Sequence, residues 1–165
     1  MRAWLIASVL SLVAAGAAAA EDGCGRFDWP VDRELELFAD GFVVDVESES
    51  ALPKDGVFSL LLQPVSSVIY MVPPERGRDD GLGGVVTLEW ISAGRYQVTL
   101  SADAWVDAVQ NDRRLRPLAT TSRADCPGIR QSVQFEIQSL PLTLQFGGAV
   151  VKRLNIAVLR TRGEP

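Results

Sequence analysis

The sequence predicts an all-β protein: an antiparallel β-sandwich or jelly roll of about eight strands with one short N-terminal helix. Three observations favour this fold class. Apolar and polar residues alternate in several runs, and Gln131–Gln138 does so without a fault. Turn-forming residues separate such runs at roughly the 8–12-residue spacing of a sandwich. No long run repeats its apolar residues with the period of a helix.

The short helix is predicted at the start of the mature chain. Pro30 suits a first helical turn, and Gly41 stands where a helix would stop. Between them Val31, Leu35 and Phe38 recur at i, i+4 and i+7, so about two turns are expected to lie over the sheet. Two further side chains are expected to face solvent: Glu34 and Glu36.

Three runs between this helix and the centre of the chain are predicted to be strands: Phe42–Glu47, Val57–Gln63 and Val68–Val72. Pro73–Gly84, which holds two prolines and four glycines, is predicted to be a long surface loop. Asp79-Asp80-Gly81 within it could suggest a calcium corner. Because the spaced carboxylates of a calcium loop are missing, a solvated turn is the expected reading.

The segment Val85–Gln110 is predicted to carry three consecutive strands, and the rest of the chain is organised around it. In Val85–Ile91 three side chains fall on one side and are expected in the core: Val86, Leu88 and Trp90. Tyr96–Ser101 alternates in the same way. Ser92–Arg95 between the two runs contains a glycine that can take positive φ. We therefore expect these two runs to pair as an antiparallel hairpin.

The third run, Ala104–Gln110, has two possible registers. One would bury Trp105 and Val109 but would also bury the Asp107 carboxylate, which is costly when unpaired. We predict the other register, with those three side chains outward and small residues in the core: Ala104, Val106 and Ala108. Trp105 is then covered by another segment, for which the N-terminal segment is expected, or is offered to a partner.

The chain after the third run supplies the remaining strands. Asn111–Arg114 is predicted to be a turn, and Leu115–Thr121 a short strand. Gln131–Gln138 is followed by two further alternating runs that complete the sandwich: Leu142–Phe146 and Leu154–Val158.

Residues 1–20 have the pattern of a secretory signal peptide. A positive start is followed by the apolar run Trp4–Val13 and then by small residues, with cleavage expected after Ala20. The apolar run is too short for a comfortable membrane span. We therefore expect a single domain over residues 21–165, with no membrane anchor after cleavage, in the periplasm or secreted.

The mature chain has two cysteines, Cys24 and Cys126. In an oxidising compartment the expected state is one disulfide, which would close a loop of about 100 residues and tie down the N-terminus. A reactive thiol or a metal pair is the alternative. With no histidine in the sequence, that alternative lacks its usual partners.

The absence of histidine also excludes Ser-His-Asp and Cys-His catalysis and histidine-bound metal cofactors. Homogentisate dioxygenase chemistry fails for the same reason, since that type of iron site uses two histidines and a carboxylate. We expect no cofactor. What remains is carboxylate chemistry, for which three acids lie near one another in the sequence: Asp103, Asp107 and Asp112. A glycan hydrolase that uses them is the less favoured expectation.

A formal net charge of −5 argues against nucleic acid as a partner. The only dense basic cluster is Arg113, Arg114 and Arg116, which could contact an acidic partner or form a charged hairpin tip. Six residues are the candidates for partner binding: Trp105, Asp107, Arg113, Arg114, Arg76 and Arg78.

The order of strands and turns from Val85 to Leu159 resembles the bacterial pre-peptidase C-terminal type of β-sandwich. Gly94 and Tyr96 match its turn, and Leu142–Phe146 with Leu154–Val158 match its closing strands. Secreted peptidases carry this domain as a non-catalytic accessory. The periplasmic inhibitors of invertebrate-type and goose-type lysozymes are stand-alone versions of this domain. Ser92–Tyr96 of the present chain loosely resembles their inhibitory loop.

The resemblance and the missing catalytic groups together imply a non-catalytic binding or inhibitor module for a protein or glycan of the cell envelope. The alternative is an accessory or structural domain that works beside an envelope enzyme. The chain is also similar to small exported bacterial proteins of unknown role.

Overall fold

The computed structural model describes residues 23–41, 43–75 and 80–162. The described residues form one α-helix and twelve strands. The helix α1 spans Asp32–Ala39, and short 3₁₀ turns span Gly23–Arg26 and Val65–Ser67. The strands are β1 (Val44–Glu47), β2 (Ser50–Lys54), β3 (Gly56–Leu61), β4 (Gln63–Pro64), β5 (Leu82–Trp90), β6 (Gly94–Leu100), β7 (Trp105–Gln110), β8 (Arg113–Arg114), β9 (Ala119–Ser122), β10 (Gln131–Ile137), β11 (Leu142–Ala149) and β12 (Arg153–Arg160).

The strands form two packed sheets, so the predicted sandwich is confirmed. The first sheet has the order β1-β3-β12-β6-β10-β9, and the second has the order β2-β5-β11-β7-β8, with β4 paired to β5. Most pairs are antiparallel, but β1–β3 and β2–β5 are parallel. The count exceeds the predicted number of about eight. Two of the strands, β4 and β8, are only two residues long, and the chain between α1 and β3 forms two strands where one was expected.

The core lies between the sheets and is built by the alternating residues that the sequence predicted. Each sheet turns its apolar side inward and buries it against the other, which is the main source of stability in a sandwich. Inward-facing side chains of this core include Phe58, Leu60, Leu88, Leu100, Phe135, Leu144, Phe146, Leu154 and Ile156.

The predicted hairpin between the first two runs of the central segment is wrong. β5 pairs with β11 and β2 in the second sheet, whereas β6 pairs with β10 and β12 in the first. The connection after Trp90 therefore crosses from one sheet to the other. Sheets pack about 10 Å apart, a distance that three extended residues can span. Alternation is the same in a hairpin and in such an arch, so it could not distinguish them.

Trp90, which was expected in the core, is 76% exposed. It is the last residue of β5, beyond Leu88, and Glu89 beside it is also exposed. The two-residue period of the strand predicts the side of the sheet for Trp90. It does not predict that the core ends before this residue.

The N-terminal segment, residues 23–41, lies over the outer side of the first sheet. The predicted disulfide between Cys24 and Cys126 is present, with Cα atoms 4.5 Å apart. Further along, the Trp29 Nε1–H donates to Ser132 Oγ at 3.0 Å. A small second core holds the segment in place, formed by Cys24, Phe27, Val31, Cys126 and Ile129 with Trp29, Leu35 and Phe38 at its border.

Glu34 was expected to face solvent, yet it is only 1% exposed. The helix turns it toward the sheet, where its Oε1 accepts a hydrogen bond from Gln97 Nε2 at 2.7 Å. Arg33 Nη2 lies 3.3 Å from the same oxygen. The burial is possible because the outer side of the first sheet presents polar groups, and a buried carboxylate is tolerated only when hydrogen-bonded or paired. Glu36 is exposed as expected.

The prediction of a strand at Val68–Val72 is also wrong. Residues 65–75, here called the covering segment, contribute no strand and lie over the outer side of the second sheet. The side chain of Gln145 takes the place of a neighbouring strand: its Oε1 accepts from Val72 N and its Nε2 donates to Val72 O, both at 2.9 Å. Tyr70 Oη donates to Phe146 O at 2.9 Å. Gln145 is thereby fully buried.

The predicted surface loop Pro73–Gly84 is shorter than expected. β5 begins at Leu82, and Gly83 and Gly84 are buried within it. Glycine is required at position 83 because a Cβ there would lie 2.4 Å from Tyr70 Oη. Asp79 of the suggested calcium corner lies outside the described residues.

Candidate functional site

One edge of the second sheet ends in a very short strand, β8. β8 has two residues, and it pairs with Val109 and Gln110 of β7 only. The preceding part of β7, Trp105–Ala108, has β11 as its strand neighbour on one side. On the other side no strand pairs with it in the part of the chain that the structure describes. Ala108 O already accepts a hydrogen bond from Leu115 N, so three residues of β7, Trp105–Asp107, form a free sheet edge.

A cleft of about 840 Å³ runs along this edge. Five consecutive residues, 103–107, line one side, and residues 114–117 continue the wall where the chain leaves β8 for the first sheet. Thr120, Gln131 and Val133 line the opposite side. Because both inward- and outward-facing residues of β7 line it, the cleft follows the backbone of the strand. We call it the edge cleft.

Trp105 faces outward, as the preferred register predicts, while Ala104, Val106 and Ala108 are in the core. Its ring lies against Gly147, where an added Cβ would be 2.4 Å from Trp105 Cζ2, and against Gly148. The cover is the covering segment, with the Tyr70 ring centroid 5.5 Å away, and not the N-terminal segment as expected. The Trp105 Nε1–H is buried and has no acceptor among the described residues.

In the observed register one side chain that was expected to face outward to solvent, Val109, is buried. Val109, on the same side as Trp105, is buried between its strand partners Thr143 and Arg114. The two-residue strand β8 supplies that second partner, and so short a strand gives no recognisable sequence signal.

Asp107 and Arg114 form a half-buried ion pair at the edge cleft. Arg114 Nε lies 2.9 Å from Asp107 Oδ2, and the two side chains are 16% and 19% exposed in that order. The contact is an ion pair without hydrogen-bond alignment, since Arg114 Nε has no hydrogen-bond partner. The other guanidinium nitrogens reach Glu75 Oε1 and the Pro73 carbonyl, each at 2.5 Å. Arg114 thus holds the end of the covering segment in place, and its charge is already paired with the carboxylates of Asp107 and Glu75.

Arg116 is the free cation of the edge cleft. Its side chain is exposed and has no ion-pair or hydrogen-bond partner in the described ranges. It belonged to the predicted basic cluster but not to the six binding candidates. Of those six, the structure brings together Trp105, Asp107 and Arg114. Arg113 is exposed on the neighbouring hairpin away from the cleft, and Arg76 and Arg78 lie outside the described residues.

No two of the three acids considered for hydrolase chemistry form the pair of free carboxyl groups that a glycosidase needs. Asp103 is held by Arg130, with Oδ2 at 2.7 Å from Nη2, and Asp107 is held by Arg114. Asp112 stands in the β7–β8 turn with a φ of 56°. No group of three potential metal ligands occurs within the described residues.

Tyr70 has a perturbed titration. Burial, followed by the negative charge of Asp107, raises the pKa of Tyr70 from 10.0 to about 12. A raised folded-state pKa means that the unfolded chain ionises first as pH rises. The contribution of Tyr70 to stability is therefore complete below pH 10 and is lost between pH 10 and about 12.

We expect a tyrosinate absorbance titration to show this group as a late step, and Tyr70→Phe to remove it. The pKa of Tyr96 is also raised, chiefly by burial, so one perturbed tyrosine remains in the variant. An unchanged late step in Tyr70→Phe would contradict the assignment.

Comparison with protein-family models, with curated proteins and with solved structures found no match. In the described ranges, no helix has the length and apolar character that crossing a membrane requires. The disulfide is compatible with an oxidising location outside the cytoplasm.

Proposed function

We propose that this protein is a non-catalytic binding or inhibitor module of the cell envelope, and that the edge cleft receives its partner. The observation that carries the proposal is the free edge of β7, where five consecutive residues line a cleft of about 840 Å³. Pockets that bind small molecules have volumes of roughly 300–1,000 Å³. The free cation Arg116 and the half-buried pair Asp107–Arg114 give the cleft polar groups that orient a partner.

The charges in the cleft support binding over catalysis. A glycosidase needs one carboxylic acid kept protonated and a second carboxylate across the substrate. Here Asp103 and Asp107 are each paired with an arginine of this chain, so neither carboxyl is left free to act on a substrate. The predicted signal peptide and the disulfide support a location in the periplasm or outside the cell.

Site-specific crosslinking tests the proposal. A photoreactive amino acid at position 116 samples the edge cleft, and one at position 162 is the matched control, because Arg162, two residues beyond the end of β12, is exposed and has no ion-pair partner among the described residues. We expect a discrete crosslinked product from position 116 only, in cells that export the protein. Equal products from both positions, or none from position 116, would refute the cleft as the binding site.

Invertebrate-type and goose-type lysozymes are the first partners to test, because of the resemblance described above. Calorimetric titration should give an affinity that Arg116→Glu lowers at least about tenfold and that Arg162→Glu leaves unchanged. An affinity insensitive to Arg116→Glu would place the lysozyme contact elsewhere on the molecule.

A further inference from the structure

We infer that the occupant of the edge cleft is an extended polypeptide segment that adds a strand to β7 and carries an acidic residue for Arg116. The inference rests on the proposed function and specifies its ligand. Strand addition to an exposed sheet edge is an established mode of peptide recognition: main-chain hydrogen bonds supply affinity, and side-chain pockets supply specificity.

The backbone of β7 is correctly oriented for this pairing. Leu115 N donates to Ala108 O at 2.7 Å, so the main-chain groups of Ala108 point away from β11. In an antiparallel ladder successive residues point to alternate sides, so the N–H and C=O of Val106 also point away from β11. They open into the edge cleft, where Val106 is one of the lining residues. After Leu115 the chain turns toward the first sheet, so among the described residues Val106 has a strand partner only on the β11 side.

The size of the free edge fits a short segment. The free residues Trp105–Asp107 and the preceding Ala104 extend over about 13 Å at the rise of a β-strand, which accommodates about four residues of an added strand. Such a segment would turn alternate side chains to opposite sides of the sheet. One set would point inward with Val106 toward Val133, so an apolar residue is expected there.

The charges favour an acidic residue at one of the other positions. Glu75, Asp103 and Asp107 are each within ion-pair distance of an arginine, and Arg114 contacts two carboxylates. Arg116 is left as the unpaired charge among the described lining residues. An incoming carboxylate would therefore be attracted, and an incoming lysine would be repelled.

Selection from a phage-displayed library of random linear heptapeptides tests the inference on the full mature protein. Wild-type protein should enrich peptides with an acidic residue beside alternating apolar ones. A synthetic copy of an enriched peptide should lose at least about tenfold in affinity when its central amide is N-methylated, because strand pairing needs that N–H. It should lose a similar factor when its acidic residue is replaced by lysine.

Two protein variants locate the site. Val106→Pro removes the N–H that faces the cleft and leaves the β11 ladder intact, while Val106→Ala keeps the N–H and serves as its control. The proline variant should lose peptide binding with an unchanged circular dichroism spectrum. Arg116→Glu, a change at an exposed side chain, should reverse the preference between the acidic peptide and its lysine version even if the proline variant does not fold.

Several outcomes overturn the inference. These are no enriched peptide, equal binding of the N-methylated peptide, and equal binding by Val106→Pro. A concentration-dependent dimer abolished by Val106→Pro would assign the edge to a second copy of the chain. If crosslinking from position 116 persists while peptides fail, the cleft still binds a partner, but the partner is not an extended segment.

Discussion

Replacing Cys24 and Cys126 together by serine should lower the free energy of unfolding by about 4 kcal/mol, the largest effect expected for this protein. The two cysteines are 102 residues apart, and closing a loop of that length removes much of the chain entropy of the unfolded state. The same bond fastens the N-terminal segment, whose Phe27 and Val31 are buried with Cys126 and Ile129. Both contributions are lost in the double variant.

Urea unfolding monitored by circular dichroism measures this change. A reducing agent should lower the stability of the wild type toward that of the double variant and should leave the double variant unchanged. We also expect reduction to expose Glu34 and Gln97, so amide hydrogen exchange should accelerate in α1 more than in β11. A loss below about 1 kcal/mol would show that the segment is held by its packing alone.

Replacing Gln145 by leucine should cost about 2–4 kcal/mol, the second largest effect. The side chain is fully buried and makes both main-chain hydrogen bonds of Val72. Leucine has a similar volume but leaves the partly buried N–H and C=O of Val72 without their partner, and an unsatisfied buried group costs about 1–3 kcal/mol. The covering segment should loosen with this change, and the contact between Tyr70 and Trp105 should weaken.

Thr143→Val is the matched control, two residues earlier on the same side of β11. Thr143 Oγ1 shares one hydrogen bond with Thr87 Oγ1 at 3.1 Å and none with the covering segment. Its replacement should cost about 1 kcal/mol and leave the segment protected. Limited proteolysis distinguishes the two variants, because only Gln145→Leu should accelerate cleavage within residues 65–75. Equal cleavage rates would refute the role assigned to Gln145.

The fold class and the core could be predicted because alternation reports which side of a strand is apolar. Phe135, Leu144 and Ile156 illustrate this, and all three are buried. Strand pairing could not be predicted in the same way. β5 and β6 each alternate correctly, but nothing in their residues shows that they belong to different sheets. The pairing depends on β11 and β12, which lie more than 40 residues further along the chain.

The candidate site shows the same limit. Trp105 and Asp107 were placed correctly outward, since the cost of burying a carboxylate decides the register. The cleft itself follows from the two-residue length of β8, and the sequence around Arg113 does not reveal where pairing stops. Glu34 was misplaced because its burial depends on one amide, Gln97, in a strand 63 residues away.

The positions of β11 and β12 also determine when this chain can fold. β12 joins β3 to β6, and β11 joins β5 to β7, so the final two strands stand in the middle of the two sheets. A nascent polypeptide that ends before residue 142 lacks both and can complete neither layer. Neither sheet can therefore be completed until these two strands have been synthesised. We expect the chain to remain unfolded until then, which is the state that passage through a translocation pore requires if the predicted signal peptide at residues 1–20 directs export.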